Sequence, residues 1–245
     1  MSTTAYDASH FQDNYPPGMR FFYWTRARNR ILLKALLRHR VPMPMLEVGC
    51  GTGIVTGYLR NVGLEVTGIE LGHPEVDPLV RPHLMLGQDA FSVDPAMRAR
   101  FQSIGLFDVI EHIEDAPGFM RRLLDAYPNV KQVAITVPAG PELWSNYDVH
   151  FGHFRRYTAA SLTEHMLACG LKPIAVRELF QGLYWAQRGA LALGIGQNRR
   201  VRFDPPVEQP RRAIHAMLAA VLGIEHELVP GKWRGSSLIA IGSRA

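Results

Sequence analysis

Cysteine is scarce: Cys50 and Cys169 are the only two in 245 residues. That count excludes a disulfide-stapled fold and a thiolate metal site, and a reduced, cytoplasmic setting is the expectation. No apolar run reaches the ~20 residues of a membrane-spanning helix. Met1 to Phe11 is polar and has none of the apolar stretch of a secretory signal. Repeats, low-complexity tracts and long linkers are missing too, so one domain over 1–245 is expected. Acidic residues are thin at the start, where Arg20, Arg26, Arg28, Arg30, Lys34, Arg38 and Arg40 face only Asp7 and Asp13. Arg199, Arg200, Arg202, Arg211 and Arg212 form a second basic group. Such patches suit nucleic acid, anionic lipid or an acidic substrate, or are solvated helix faces.

With 47% hydrophobic and 20% charged residues there is material for one large core. The chain is organised around Leu46-Glu47-Val48-Gly49-Cys50-Gly51-Thr52-Gly53. The apolar run into Val48 reads as a strand buried in a parallel sheet. Alternate glycines then allow a sharp bend that brings backbone close to a ligand. Thr52 is expected to cap the helix that follows, from Gly53 to about Asn61. A dinucleotide fingerprint would need glycine at the sixth position, which is Ile54, and a P-loop would need a lysine that is not there. Glu47, two residues before Gly49, suits a ligand with a cationic end instead.

Glu47-Val48-Gly49-Cys50-Gly51-Thr52-Gly53 resembles motif I of the class I S-adenosylmethionine-dependent methyltransferases, E/D-x-G-x-G-x-G, at every fixed position. The resemblance implies S-adenosyl-L-methionine as cofactor and S-adenosyl-L-homocysteine as product. Glu70, with Leu71 beside it, ends a second strand (Glu65 to Ile69) and would hold the ribose hydroxyls. A third strand, Leu84 to Leu86, leads to Asp89 and Ala90, which would meet the adenine; a turn-capping Asp is the alternative. A fourth strand, Leu106 to Ile110, opens Phe107-Asp108-Val109-Ile110-Glu111-His112-Ile113-Glu114-Asp115. That run resembles the small-molecule branch of the family, which includes ubiquinone- and menaquinone-biosynthesis enzymes, and places Asp108, Val109 and Ile110 at the cofactor. Arg28 would reach the cofactor's carboxylate, with Arg26 and Arg30 as alternatives.

Further strands are expected at Val133–Val137, Lys172–Glu178 and Ser237–Gly242, and helices at 20–40, 117–127, near 183–195 and 209–224, with Thr158 capping one that ends at Cys169-Gly170. Seven strands with an insert at 182–235 resemble the methyltransferase sheet: an α/β, Rossmann-like, mostly parallel sheet with helices on both faces, the seventh strand antiparallel and a helical insert between strands six and seven. The segments then divide as a 20–40 helix over the cleft, a 41–180 cofactor core, the insert as substrate cap, and a last strand at 236–245. Loop 138–157 is long and rich in aromatic residues, so a functional loop is expected. Its Gly152-His153-Phe154-Arg155-Arg156-Tyr157 resembles an uncharacterised bacterial subgroup.

Moving a methyl group onto a hydroxyl or amine needs a base. His112 is the first candidate, then His150 and His153. Trp144, Tyr147, Arg155, Arg156 and Tyr157 are candidate acceptor contacts, although either arginine could pair with Asp148 or Glu142 and fix the loop. Asp108, Glu111 and His112 resemble an E-x-x-E-H metal cluster, but the first carboxylate is Asp and no metal is assigned. The expected partner is a small-molecule acceptor. A nucleic-acid substrate is the weaker reading: there is no Asn/Asp-Pro-Pro-Tyr/Phe motif, no Pro-Cys pair and no RNA-binding appendage. The apolar insert stretches Ala190–Ile195 and Ala213–Ile224, beside basic residues, admit a peripheral membrane contact.

Overall fold

A computed structural model describes residues 15–195 and 204–244. The polar opening at 1–11 and Arg199, Arg200 and Arg202 lie outside the described residues.

The first helix is α1 (Tyr23–Arg38), preceded by a single 3-10 turn at Met19–Phe21. Ala27, Ile31, Leu32 and Leu36 recur at helical spacing and are buried, which fixes the face that α1 turns inward. Then follow β1 (Met45–Val48), α2 (Ile54–Asn61), β2 (Val66–Glu70), β3 (Leu84–Leu86), the short α3 (Pro95–Arg98), β4 (Ser103–Phe107), α4 (Ala116–Ala126) and β5 (Gln132–Pro138). The second half holds α5 (Asn146–His150), α6 (Ala159–Ala168), β6 (Leu171–Leu179), α7 (Gln181–Ala192), α8 (Gln209–Leu228) and β7 (Ser237–Arg244).

The strands make one seven-stranded sheet in the order β3-β2-β1-β4-β5-β7-β6. Strands β3 to β5 are parallel, and β7 runs antiparallel to both neighbours. Alternation along each strand sends side chains to two cores. Leu46, Val48, Ile104, Leu106, Val133 and Ile135 pack under α4 and α6. Met45, Val66, Phe107, Ala134, Ile239 and Ile241 pack under α1, α2 and α8. Glu47 shares the parity of Met45, so a carboxylate is delivered to the α1 side.

One expectation is corrected. The fourth strand starts and ends three residues earlier than Leu106–Ile110. Asp108 turns to φ 58, and Ile110–His112 coils into a 3-10 turn, so the apolar run continues past the end of the ladder. Loop 138–157 is largely structured, with a 3-10 turn at Pro141–Leu143 and the capped helix α5. As expected, Thr158 caps α6, its hydroxyl accepting from Ser161 N (3.1 Å), and Gly170 (φ 86) ends it. Helix α8 lies on α1 through Ala219 and Leu222. Among the described residues no helix is long and apolar enough to cross a membrane.

Candidate active site

At the end of β1 the chain bends through Gly49, Gly51 and Gly53, all left-handed (φ 72, 52 and 75). Side chains there would be strained and would also collide: a Cβ on Gly49 meets Val109 at 2.9 Å, and one on Gly53 meets Leu84 at 2.7 Å. The amides of Gly49 and Cys50 both donate to Ile69 O (2.9 and 3.1 Å), which ties the bend to β2. Gly51 N and Gly72 N each donate to one oxygen of Glu70 (2.9 and 3.0 Å), so that carboxylate is fixed at the rim with acceptor capacity left over. The expected Thr52 cap is not made. Gly53 is itself the N-cap of α2, and Thr52 sits one position too early for its hydroxyl to reach the first-turn amides. The Thr52 Oγ1 is instead buried with no hydrogen-bond partner, on the wall of a cavity of about 810 Å³.

Four further charged groups converge on that cavity. Glu47 is 2% exposed and accepts from the Thr56 hydroxyl. Burial raises its pKa to about 7, against the opposing pull of that hydrogen bond and of Arg28. Arg28 is buried on α1, donates to Asp108 and stacks 5.3 Å from the Trp24 ring centroid. Arg26 and Arg30, the alternatives at sequence level, line a separate cavity of about 640 Å³ beyond α2. The left-handed turn at Asp108 swings its carboxylate toward Arg28, and Thr136 Oγ1 donates to its second oxygen (3.3 Å). Asp89 takes the capping role left open above, accepting from Phe91 N (2.9 Å), and also lines the cavity with Leu71, Ala90 and Val109. Ile110 does not; it is fully buried in the core.

The opposite wall is built around Asp148, which is fully buried. It accepts from Ser145 N (3.0 Å), from Arg156 (3.2 Å) and contacts His153 Nδ1 at 2.9 Å. Burial alone would raise its pKa, but the His153 hydrogen bond and the Arg156 charge outweigh it and hold the carboxyl below its usual value. The His153 ring meets His112 edge to face, centroids 4.7 Å apart, and both rings line the cavity. Burial, then His153, lowers His112 to about 4, so it is neutral at pH 7. Below them Glu111 is buried with Oε2 unpartnered, and burial plus nearby Asp108 pushes its carboxyl well above the usual range. Glu111, His112 and His153 place one ligand atom each within 4.8 Å of one another, a donor set that a transition metal could use. The E-x-x-E-H spacing did not foretell this set, because His153 arrives from the later loop and Asp108 is taken by Arg28.

Several expected acceptor contacts lie elsewhere. His150 is at the exposed end of α5, its ring on Phe151 (5.1 Å), outside the cavity lining. Trp144 is surface-exposed and Tyr157 is a core residue whose backbone pairs with Pro138. Arg155 reaches away to Glu114 O (2.6 Å). Arg156 pins the loop, donating to Ala139 O and Ser236 O as well as Asp148, which is the loop-fixing role of the two weighed above, and it also lines the cavity. Tyr147 does line the cavity. Sequence reasoning does not single out Tyr15, whose ring stands 3.5 Å from where a Gly51 Cβ would be, or Thr25 and Ser236, while Leu183, Gln187 and Leu191 come from the insert expected as a substrate cap without being named in it. Nothing local marks those residues; tertiary packing of α1 and α7 brings them in.

A Rossmann-like sheet, a glycine bend and acids at the ends of β1, β2 and β3 define a class I methyltransferase site. Residues 20–176 match the family described as Methyltransferase domain, and the chain belongs to that family. It is 31% identical over 85 residues to a ubiquinone biosynthesis O-methyltransferase of Rhodopseudomonas palustris, a stretch covering 32% of this chain and about a third (33%) of that relative. Its fold resembles the 1,6-didemethyltoxoflavin-N1-methyltransferase of Burkholderia thailandensis, solved with its substrate and S-adenosylhomocysteine (15% identity, TM-score 0.55, 97% of this chain and 84% of that one). It likewise resembles a phosphoethanolamine N-methyltransferase of Haemonchus contortus, solved with S-adenosylhomocysteine (16% identity, TM-score 0.55, 99% and 61%). The family model and the fold thus agree on a methyltransferase domain.

Proposed function

We propose that this enzyme methylates an oxygen or nitrogen atom of a small-molecule acceptor, with His153 as the base and Asp148 as the residue that orients it. The single observation that carries this reading is the buried Asp148–His153 pair, whose imidazole lies on the wall of the cavity that the glycine bend also lines. The relatives named above act on small molecules, which supports the same choice.

The residues present fit the cofactor. An unpartnered buried Thr52 hydroxyl, spare acceptor capacity on Glu70 and a buried Glu47 carboxyl that a nearby cation would hold ionised suit a nucleoside with a cationic end. Gly49, Cys50, Gly51, Thr52 and Gly53 would cradle it; Glu70 and Leu71 would take the ribose, Asp89 and Ala90 the adenine, and Glu47 the ammonium. Arg28, held by Asp108 beside Val109, would face the carboxylate. When bound, S-adenosylmethionine supplies the methyl carbon for an in-line displacement and leaves as the neutral thioether.

The chain's task is then to align the acceptor, exclude water and remove one proton. With His153 Nδ1–H donating to Asp148, its Nε2 is left as an acceptor, and the acceptor's O–H or N–H proton passes there. The ionised Asp148 stabilises the resulting imidazolium. Neutral His112 packs against the ring without adding a second positive charge. Tyr147 and the apolar wall of Leu183 and Leu191 enclose the acceptor, and a cavity of about 810 Å³ is large enough for cofactor and a compact acceptor together.

Incubating the full chain with methyl-labelled S-adenosylmethionine and either fractionated small-molecule extract or total RNA tests this. Label is expected in the small-molecule fraction; label in RNA alone would overturn the proposal. Chelator added to the active reaction separates the base from the metal-capable set: activity lost and then restored by a divalent cation would move proton removal away from His153.

A further inference from the structure

Helix α8 wears its hydrophobicity on the wrong side. Its inner face meets α1 through Ala219 and Leu222, with His215 accepting from Tyr23 N (3.1 Å) and Glu225 accepting from Gly182 N (2.5 Å). Its outer face carries Ile214, Met217, Leu218, Val221, Ile224 and Leu228, all exposed, with Met217 at 62% and Leu228 at 76%. Those positions recur at helical spacing, so they form one stripe along a 20-residue helix about 30 Å long. A surface helix in water normally shows the reverse pattern, and a contiguous exposed apolar face marks an interaction site.

The surrounding charge says what covers it. Between residues 182 and 235 there are eight arginines and lysines against four acids, so this segment holds most of the chain's net charge of +5. Trp185 and Trp233, both exposed, sit on α7 and just beyond α8, and indole rings favour the boundary between water and hydrocarbon. A second copy related by a twofold axis would bring two net-positive segments together, whereas anionic headgroups would neutralise them. An apolar stripe in a net-positive segment that also carries exposed indoles is the pattern of a helix lying in the plane of a membrane interface.

We infer that the outer face of α8 docks on an anionic lipid bilayer. Helix α7 is tied to α8 through Gly182 and Glu225 and supplies Leu183 and Leu191 to the cavity wall, so docking brings the insert-built side of the cavity to the lipid surface. This inference stands on the α8 surface and does not depend on the acceptor or base proposed above.

Flotation of the full chain with vesicles tests it. The protein is expected to rise with phosphatidylcholine–phosphatidylglycerol vesicles, to rise far less with pure phosphatidylcholine, and to lose anionic-vesicle flotation in the double variant Met217→Glu, Val221→Glu. S-adenosylhomocysteine affinity of the variant, read by calorimetry, should be unchanged, which shows that it is folded. A wild-type protein left in the dense fraction with anionic vesicles overturns the inference. So does a dimer, seen by sedimentation, that the same double variant converts to monomer, since the stripe would then be a subunit interface.

Discussion

The two walls of the cavity are built in different ways. The cofactor wall is local: Glu47, the glycine bend and Glu70 lie within 24 residues, and the bend is tied to β2 by backbone hydrogen bonds. The acceptor wall is assembled from afar. His112 comes from the turn after β4, His153 and Asp148 from the loop after β5, and Leu183 and Leu191 from α7. The first wall can be read from spacing; the second exists only after packing. In the proposed mechanism the difference also divides the chemistry, with cofactor recognition on the local wall and proton transfer on the assembled one.

The sharpest way to break that division is to remove the proposed base. His153→Ala should lower kcat by about 10²–10⁴-fold, the usual range for general acid–base catalysis, while cofactor affinity stays near wild type. His150→Ala, three residues away but outside the cavity, should leave both unchanged. Steady-state kinetics with calorimetric cofactor titration reads the split. An equal loss in kcat and cofactor affinity would show that the two walls do not act separately.

A smaller effect is expected on the other side. Glu70→Ala should weaken S-adenosylhomocysteine binding by about 1–3 kcal/mol, roughly five- to 150-fold, because it removes a charged acceptor and frees the Gly51 and Gly72 amides. Calorimetry measures it directly. Unchanged affinity would remove Glu70 from the ribose.

Where sequence reading succeeded and failed follows the same line. The seven strands, their order of appearance and the insert were legible because glycine, proline and apolar runs punctuate them. The end of β4 was misplaced because Val109 and Ile110 are apolar, while the chain direction is set by the left-handed turn at Asp108. A hydroxyl at the start of a helix predicts a cap at Thr52, whereas Gly53 occupies that position. Among the three histidines, the place of the fourth strand's end in the fold that the sequence resembles favours His112, and nothing in the sequence separates His150 from His153. Only the capping box of α5, which buries Asp148 beside His153, does so.

The finest test concerns Glu47, a carboxylate that the sheet's alternation delivers into a buried place. In the protein without ligand its pKa is raised to about 7 from an ordinary 4.5. Its sign follows from linkage: the folded state holds this proton more tightly than the unfolded chain, so the group favours folding below pH 4.5, and that advantage is lost as pH rises toward 7. A bound ammonium would reverse the preference by favouring the ionised carboxylate. Binding of S-adenosylhomocysteine should therefore release a proton near and below pH 7, and its affinity should fall by up to about tenfold per pH unit as pH drops further below about 7. Calorimetry in buffers of differing ionisation enthalpy counts that proton. Glu47→Gln should abolish the release and flatten the profile between pH 5.5 and 7.5 (approximate limits set about half to one and a half units around the raised value). A release that persists in the variant would assign it to another group and would take Glu47 away from the cofactor's cationic end, leaving the glycine bend without the charge that distinguishes this cradle from a phosphate site.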